Sequence, residues 1–146
     1  MLKQDEISAI QFDVQKMTDD ITVTHVFEKA QSLLMKQHAI TESYMKSALE
    51  REKYASTYIG NGISMPHGDP DKVLRSQVII FKCPHGLLWK QNKVKLVFFL
   101  AIANSEISAM KKIIHVIADL NDYDVDYLMT METQHLKQYI INLIKE

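Results

Sequence analysis

The run from Lys93 to Ala103, KVKLVFFLAIA, constrains the chain more than any other feature. After Val94 only Lys95 interrupts it. A strand with one wet face alternates polar and apolar residues, so a near-continuous β-branched and aromatic run predicts a strand covered on both faces. Gln77 to Lys82, QVIIFK, reads the same way. Two doubly covered strands require helices on both sides of a sheet. Ile7 to Val14, ISAIQFDV, alternates loosely and reads as a further strand.

The remaining apolar residues recur at helical spacing. Thr22 caps a predicted helix to about Gln37, with Val23, Val26, Phe27, Ala30, Leu33 and Leu34 as its stripe. Thr41 caps a second, Glu42 to about Lys53, with Tyr44, Met45, Ala48 and Leu49 inward. Ser105 caps a third through about Leu120, carrying Ile107, Met110, Ile113, Ile114, Ile117 and Leu120. Asn121-Asp122 breaks it, and a short helical turn near Val125 to Met129 follows. Glu132 to Lys145 is a last amphipathic helix on Leu136, Tyr139, Ile140, Leu143 and Ile144. The expected fold class is α/β, with a mixed sheet sandwiched between helix layers in a single domain over residues 1–146.

Charge and composition narrow the function. Lys plus Arg number 17 and Asp plus Glu 18, a net charge of −1, so nothing drives bulk nucleic-acid binding. No apolar run reaches the ~18 residues of a membrane span. The start, MLKQDE, lacks the apolar stretch of a signal peptide. One cysteine, Cys83, allows no internal disulfide and fits a reducing compartment. A cytoplasmic domain is the expectation.

Glycine and proline are scarce and clustered. Gly60, Gly62, Pro66, Gly68 and Pro70 fall together, while Pro84 and Gly86 form a second cluster, read as part of a turn from Pro84 to Lys90. In the first, the short apolar strand Ile63 to Met65 leads into His67. Pro66 makes a stiff entry and Gly68 a permissive exit, and Gly60 and Gly62 would allow close backbone approach. Chemistry in α/β folds commonly sits at strand ends. An isolated Pro-His-Gly is nevertheless more often an inert turn. His25, His38 and His135 read as helix-surface or boundary groups. Cys83 with His85, and His67 with Asp69, each offer too few ligands for a closed metal site. Asp69 reads as the start of a turn with Pro70, and Cys83 as a half-buried thiol at a strand end. Trp89 and Leu87-Leu88 read as core or rim packing, and the methionines as filler.

The longer stretch EREKYAST followed by GNGISMPHG resembles the active-site signature of the mannitol/fructose-type enzyme IIA components of the sugar phosphotransferase system, including their nitrogen-regulatory relatives. The resemblance extends over nearly the whole chain, through QVIIFK, LLW, KVKLVFFLAIA and the late helix pair. It implies the family's mannitol-specific enzyme IIA-like fold. It implies that His67 accepts a phosphoryl group on Nε2 from the phosphocarrier HPr and passes it to an enzyme IIB, with Arg51 steadying the group. Neither a cofactor nor a metal is implied, and no P-loop is present. A neutral imidazole is plentiful near pH ~7, and a guanidinium fork suits a phosphoryl group. Taken alone, Arg51 also reads as a cation stabilising a helix C-terminus.

The chain departs from the family in one place. The family's second active-site histidine falls on Ala109, and His115 lies off any whole number of turns from it. The departure puts the normal transfer rate in question. It favours an alternative, in which the domain belongs to a phosphotransferase-controlled transcriptional activator or antiterminator and His67 phosphorylation is a signal. A third possibility, a binding-only relative, would need neither Arg51 nor His67.

Overall fold

A computed structural model describes residues 4–146. The polar start MLKQDE begins in residues 1–3, outside the described residues. In chain order the elements are α1 (Gln4–Ser8), β1 (Gln11–Lys16), α2 (Val23–Lys36), α3 (Tyr44–Tyr54), β2 (Tyr58–Gly60), β3 (Ile63–Ser64), β4 (Gln77–Trp89), β5 (Asn92–Ala101), α4 (Ile107–Ala118), α5 (Asp122–Met129) and α6 (Thr133–Lys145). Short 3-10 turns occupy Pro70–Lys72 and Asn104–Glu106. The five strands form one mixed sheet in the order β1-β4-β5-β3-β2. β1 runs parallel to β4 and β3 parallel to β5, while β4 and β5 are antiparallel.

The two apolar runs are the centre of that sheet and are covered on both faces, as their patterning requires. Val78, Ile80, Leu96, Phe98 and Leu100 join the core formed with α4, α5 and α6. Ile79, Phe81, Val97 and Phe99 face α2 and α3. Successive side chains on one strand thus enter opposite layers.

Several boundaries differ from the expectations. Ile7 belongs to a short helix, and the first strand starts at Gln11, where pairing with Gln77 begins. Ile7 and Ile10 are buried three residues apart, a helical spacing. On α3 the inward stripe is Tyr44, Met45, Ala48 and Glu52, and Leu49 is half exposed beyond its edge. Thr41 accepts the Tyr44 N–H through its backbone carbonyl rather than its side chain. Ser105 lies inside a 3-10 turn, so α4 begins at Ile107 without a side-chain cap. Ile107, in this first turn, is partly exposed.

Pro84 to Lys90 is not the connecting turn. β4 continues to Trp89, and the hairpin turns at Lys90-Gln91, with Lys90 at φ 58°. Pro84, His85 and Gly86 fill an irregularity where the register shifts between Lys82 and Leu87. A bulge accommodates a residue without an N–H and a positive-φ glycine. α4 ends at Ala118, with Asp119 as its C-cap, and Asn121 caps α5, its side chain accepting the Asp124 N–H.

Candidate functional site

His67 lies beyond the end of β3, where it makes a single parallel bridge to Leu100 of β5. The residue is partly exposed. Nδ1 lies 2.9 Å from the carbonyl oxygen of Met65. A carbonyl only accepts, so Nδ1 carries the proton and Nε2 of the neutral ring keeps a free lone pair. The geometry thus leaves Nε2 as the ring nitrogen with its lone pair free among the described residues.

The backbone on both sides of the ring is tied to the core. The Leu100 N–H donates to the Pro66 carbonyl at 2.9 Å. The buried Tyr44 hydroxyl accepts from the Gly68 N–H and donates to the Leu100 carbonyl, both at 2.9 Å. Burial pushes the Tyr44 phenol well above its usual range, offset in part by the Gly68 N–H. Ser47 accepts the Asp69 N–H at 2.9 Å and donates to the Tyr44 carbonyl at 2.6 Å. The first two turns of α3 therefore hold residues 68 and 69 in place.

That contact explains Gly68, though not by backbone freedom. A Cβ there would lie 2.5 Å from Ser47 Oγ, and 3.0 Å from both the Ala48 nitrogen and Tyr44 Cε1. Close approach is thus the task of Gly68, while Gly60 and Gly62 supply positive φ, at 98° and 77°, to the β2–β3 hairpin. Gly60 has nothing within 4 Å of an added Cβ.

Arg51 lies on α3 one turn beyond Ser47, which places the two on one helix face. It is exposed, and its Nη1 donates to the Ala55 carbonyl at 2.8 Å. The other guanidinium N–H groups remain available to an anion. Asp69 caps the 3-10 turn at Pro70, as a turn-starting residue should. The Asp71 N–H and Lys72 beside it hold its carboxyl below the usual carboxylate range.

Two neighbours of the site were not singled out from sequence. Tyr44 read only as an apolar inward residue; the signal was its hydroxyl, which when buried requires partners. Glu52 is 8% exposed and accepts from the Thr57 N–H at 2.9 Å, the Thr57 hydroxyl at 2.5 Å and Trp89 Nε1 at 2.8 Å. Its signal was a charged residue at the i+4 position after Ala48, on the inward stripe.

Ala109 is fully enclosed in the core formed with Met65, Leu100 and Ile102. His115 is exposed and faces Asp119 at 3.6 Å, a surface pair of α4. Of the other candidates, His25 completes a capping box with Thr22, and His38 takes the left-handed position after α2 at φ 53°. His85 and His135 are exposed. Cys83 is fully buried within β4 rather than half-buried at a strand end, and burial pushes its thiol up to about 12. Trp89 is core, packing near Phe27.

The family described as phosphoenolpyruvate-dependent sugar phosphotransferase system, EIIA 2, matches residues 10–146. The chain belongs to this family. It is 34% identical over 85 residues to a multiphosphoryl transfer protein of Escherichia coli O157:H7, a match covering 55% of this chain and 23% of that protein. It is 33% identical over 82 residues to a mannitol-specific phosphotransferase enzyme IIA component of Staphylococcus aureus, covering 54% of this chain and 57% of the relative. The match thus spans less than two thirds of either relative's length. The crystal structure of IIA mannitol from Escherichia coli superposes with a TM-score of 0.68 at 20% identity, covering 97% of this chain and 99% of that one. The same IIA has been solved in complex with phosphorylated enzyme IIB, where the TM-score is 0.63 at 20% identity over 99% of this chain and 97% of the other. At these identities the likeness establishes the fold: a mixed sheet between helix layers, of the mannitol IIA kind. No helix among the described residues is long and apolar enough to cross a membrane.

Proposed function

We propose that this EIIA domain carries a phosphoryl group on Nε2 of His67, taking it from phospho-HPr and passing it to an enzyme IIB. The observation that supports this most is the bond from Nδ1 of the partly exposed His67 to the Met65 carbonyl. With the proton fixed on Nδ1, the Nε2 lone pair attacks phosphorus. The phosphorus–nitrogen bond of the donor's phosphohistidine breaks, and its electron pair returns to the donor ring. The positive charge that reaches the His67 ring spreads to Nδ1–H, where the Met65 carbonyl stabilises it. The cationic ring is in turn a good leaving group when IIB attacks. Such a transfer needs alignment and charge stabilisation more than covalent assistance. Arg51 supplies the cation, on the helix that braces the loop after His67.

The test is incubation with enzyme I, HPr and phosphoenolpyruvate. An acid-labile, base-stable phosphoryl group is expected on the wild type and none on His67→Ala. Absence of label on the wild type, or label persisting in the variant, overturns the assignment. For Arg51→Ala the expected outcome is acceptance slower by about 10- to 100-fold with unchanged thermal unfolding, the range typical of losing one charge-stabilising group.

Ala109 favours a second reading, in which the domain is a regulatory module and the modified His67 is read as a signal. An enclosed methyl at 109 leaves the phosphoryl group without a second imidazole from that position. Onward transfer separates the two. A carrier loses its label within seconds when an enzyme IIB is added, whereas a signalling domain retains it.

A further inference from the structure

We propose that Glu52 is a positioning residue of this site, setting the orientation and tautomer of the His67 ring through Thr57 and Met65. The inference rests on His67 being the phosphorylated group. A single path of hydrogen bonds supports it. Glu52 takes both the N–H and the hydroxyl of Thr57. The Thr57 carbonyl accepts from the Met65 N–H at 3.1 Å. The Met65 carbonyl accepts from Nδ1 of His67. Each link fixes the next peptide, and the last fixes the ring.

The far side of the carboxylate is equally anchored. Trp89 Nε1 donates to the same oxygen as the Thr57 N–H, and the indole is itself fully buried. Glu52 is therefore held against the end of β4 while it holds Thr57. It also follows Arg51 directly on the last turns of α3. The Ala55 N–H donates back to the Arg51 carbonyl, and the Arg51 guanidinium donates to the Ala55 carbonyl. One carboxylate thus steadies both the turn that carries the cation and the segment that aims the nucleophile. An apolar side chain would fill this inward position without the cost of burying a charge. Three donors converging on the carboxylate match a role in fixing geometry, in the way outer groups orient a reacting histidine elsewhere.

The experiment compares Glu52→Ala, Glu52→Gln and Thr57→Val with the wild type. Two quantities are read: the rate of phosphoryl acceptance from phospho-HPr, and the His67 tautomer from imidazole ¹⁵N shifts in the unphosphorylated protein. Wild type is expected to show a single tautomer with Nδ1 protonated. Glu52→Ala is expected to show a tautomer mixture and acceptance slower by about 10- to 100-fold, the usual cost of losing such an orienting group. Glutamine preserves the shape and can accept at one end while donating to the Thr57 hydroxyl at the other. It should restore the single tautomer and bring the rate within about threefold of wild type. A folded Glu52→Ala with the wild-type tautomer and rate overturns the proposal. If that variant does not fold, Thr57→Val, which removes only the hydroxyl bond, decides it. A tautomer mixture with slower acceptance supports the proposal, and wild-type values for both overturn it. A wild type that accepts no phosphoryl group refutes the carrier reading instead, while the tautomer comparison still tests Glu52.

Discussion

The two clusters of glycine and proline in this chain look alike in sequence and do opposite things in the fold. The segment from Gly60 to Pro70 passes through the β2–β3 hairpin, leaves the sheet after Ser64 and is tied back to it from several directions. The segment from Pro84 to Gly86 never leaves its strand; it is a bulge in β4 between Lys82 and Leu87, and its histidine is exposed. The difference lies outside both clusters. Residues distant in sequence, Tyr44, Ser47 and Leu100, converge on the first and fix the backbone around His67. A conformationally special segment becomes a candidate site when the rest of the fold restrains it.

The largest expected effect comes from treating the two clusters alike. Gly68→Ala introduces a methyl against the Ala48 nitrogen and Ser47 Oγ, which has little freedom because it bonds both the Tyr44 carbonyl and the Asp69 N–H. The loop must shift, at about 1–3 kcal/mol of stability and up to about 100-fold in phosphoryl acceptance. Gly86→Ala meets only the flexible Lys93 side chain, and its strain is that of φ 71°. It should cost about 1 kcal/mol and leave acceptance unchanged. Urea unfolding and the labelling assay measure both quantities. Equal effects of the two variants on acceptance would break the contrast.

Much of this was legible beforehand, for identifiable reasons. KVKLVFFLAIA and QVIIFK announced the doubly covered centre because burial on both faces removes alternation. His67 stood out as a candidate through the longer signature, EREKYAST followed by GNGISMPHG, because Pro66 and Gly68 alone fit an inert turn equally well. What stayed hidden depended on partners remote in sequence. Nothing near Glu52 in the sequence reveals that Trp89, 37 residues further on, will meet it. The length of β4 was misjudged because Pro84 and Gly86 ordinarily end a strand, and only pairing of Leu87 with Val94 shows that the ladder resumes. The role of Gly68 was misread for the same reason, since the helix that crowds it begins 24 residues earlier.

Tyr44→Phe sharpens the comparison by cutting one restraint while keeping the ring. The Gly68 N–H would lose its acceptor and the Leu100 carbonyl its donor, at about 1–3 kcal/mol by chemical denaturation. Acceptance should slow by less than for Gly68→Ala, because Ser47 and Pro66 still hold the loop.

Alkaline titration probes the layer beneath both clusters. The folded state holds the Cys83 proton to about pH 12, against an ordinary value of 9.0. A group raised in the folded state contributes stability that is complete below its unfolded value and is lost as pH rises through the folded one. Cys83 therefore contributes a falling limb of stability between pH 9 and about 12, and Tyr44, raised for the same reason, extends it upward. Cys83→Ala should flatten the lower part of this limb in unfolding experiments at successive pH values. An unchanged slope would show that the thiol ionises freely.

The smallest effect tests whether every polar group around the first cluster contributes to its restraint. Ser64 lies in β3 before the turn into His67, fully buried, and its hydroxyl has no hydrogen-bond partner among the described residues. The Tyr44 and Ser47 hydroxyls hold the loop after His67, and Ser64 differs from them. A buried hydroxyl without a partner carries its desolvation cost uncompensated, so Ser64→Ala should raise stability by up to about 1 kcal/mol. Acceptance at His67 should not change, because no restraint on the ring passes through that oxygen. If the substitution instead slows acceptance, the hydroxyl takes part in holding the strand that leads to His67, and the division between restraining and idle groups must be redrawn to include it.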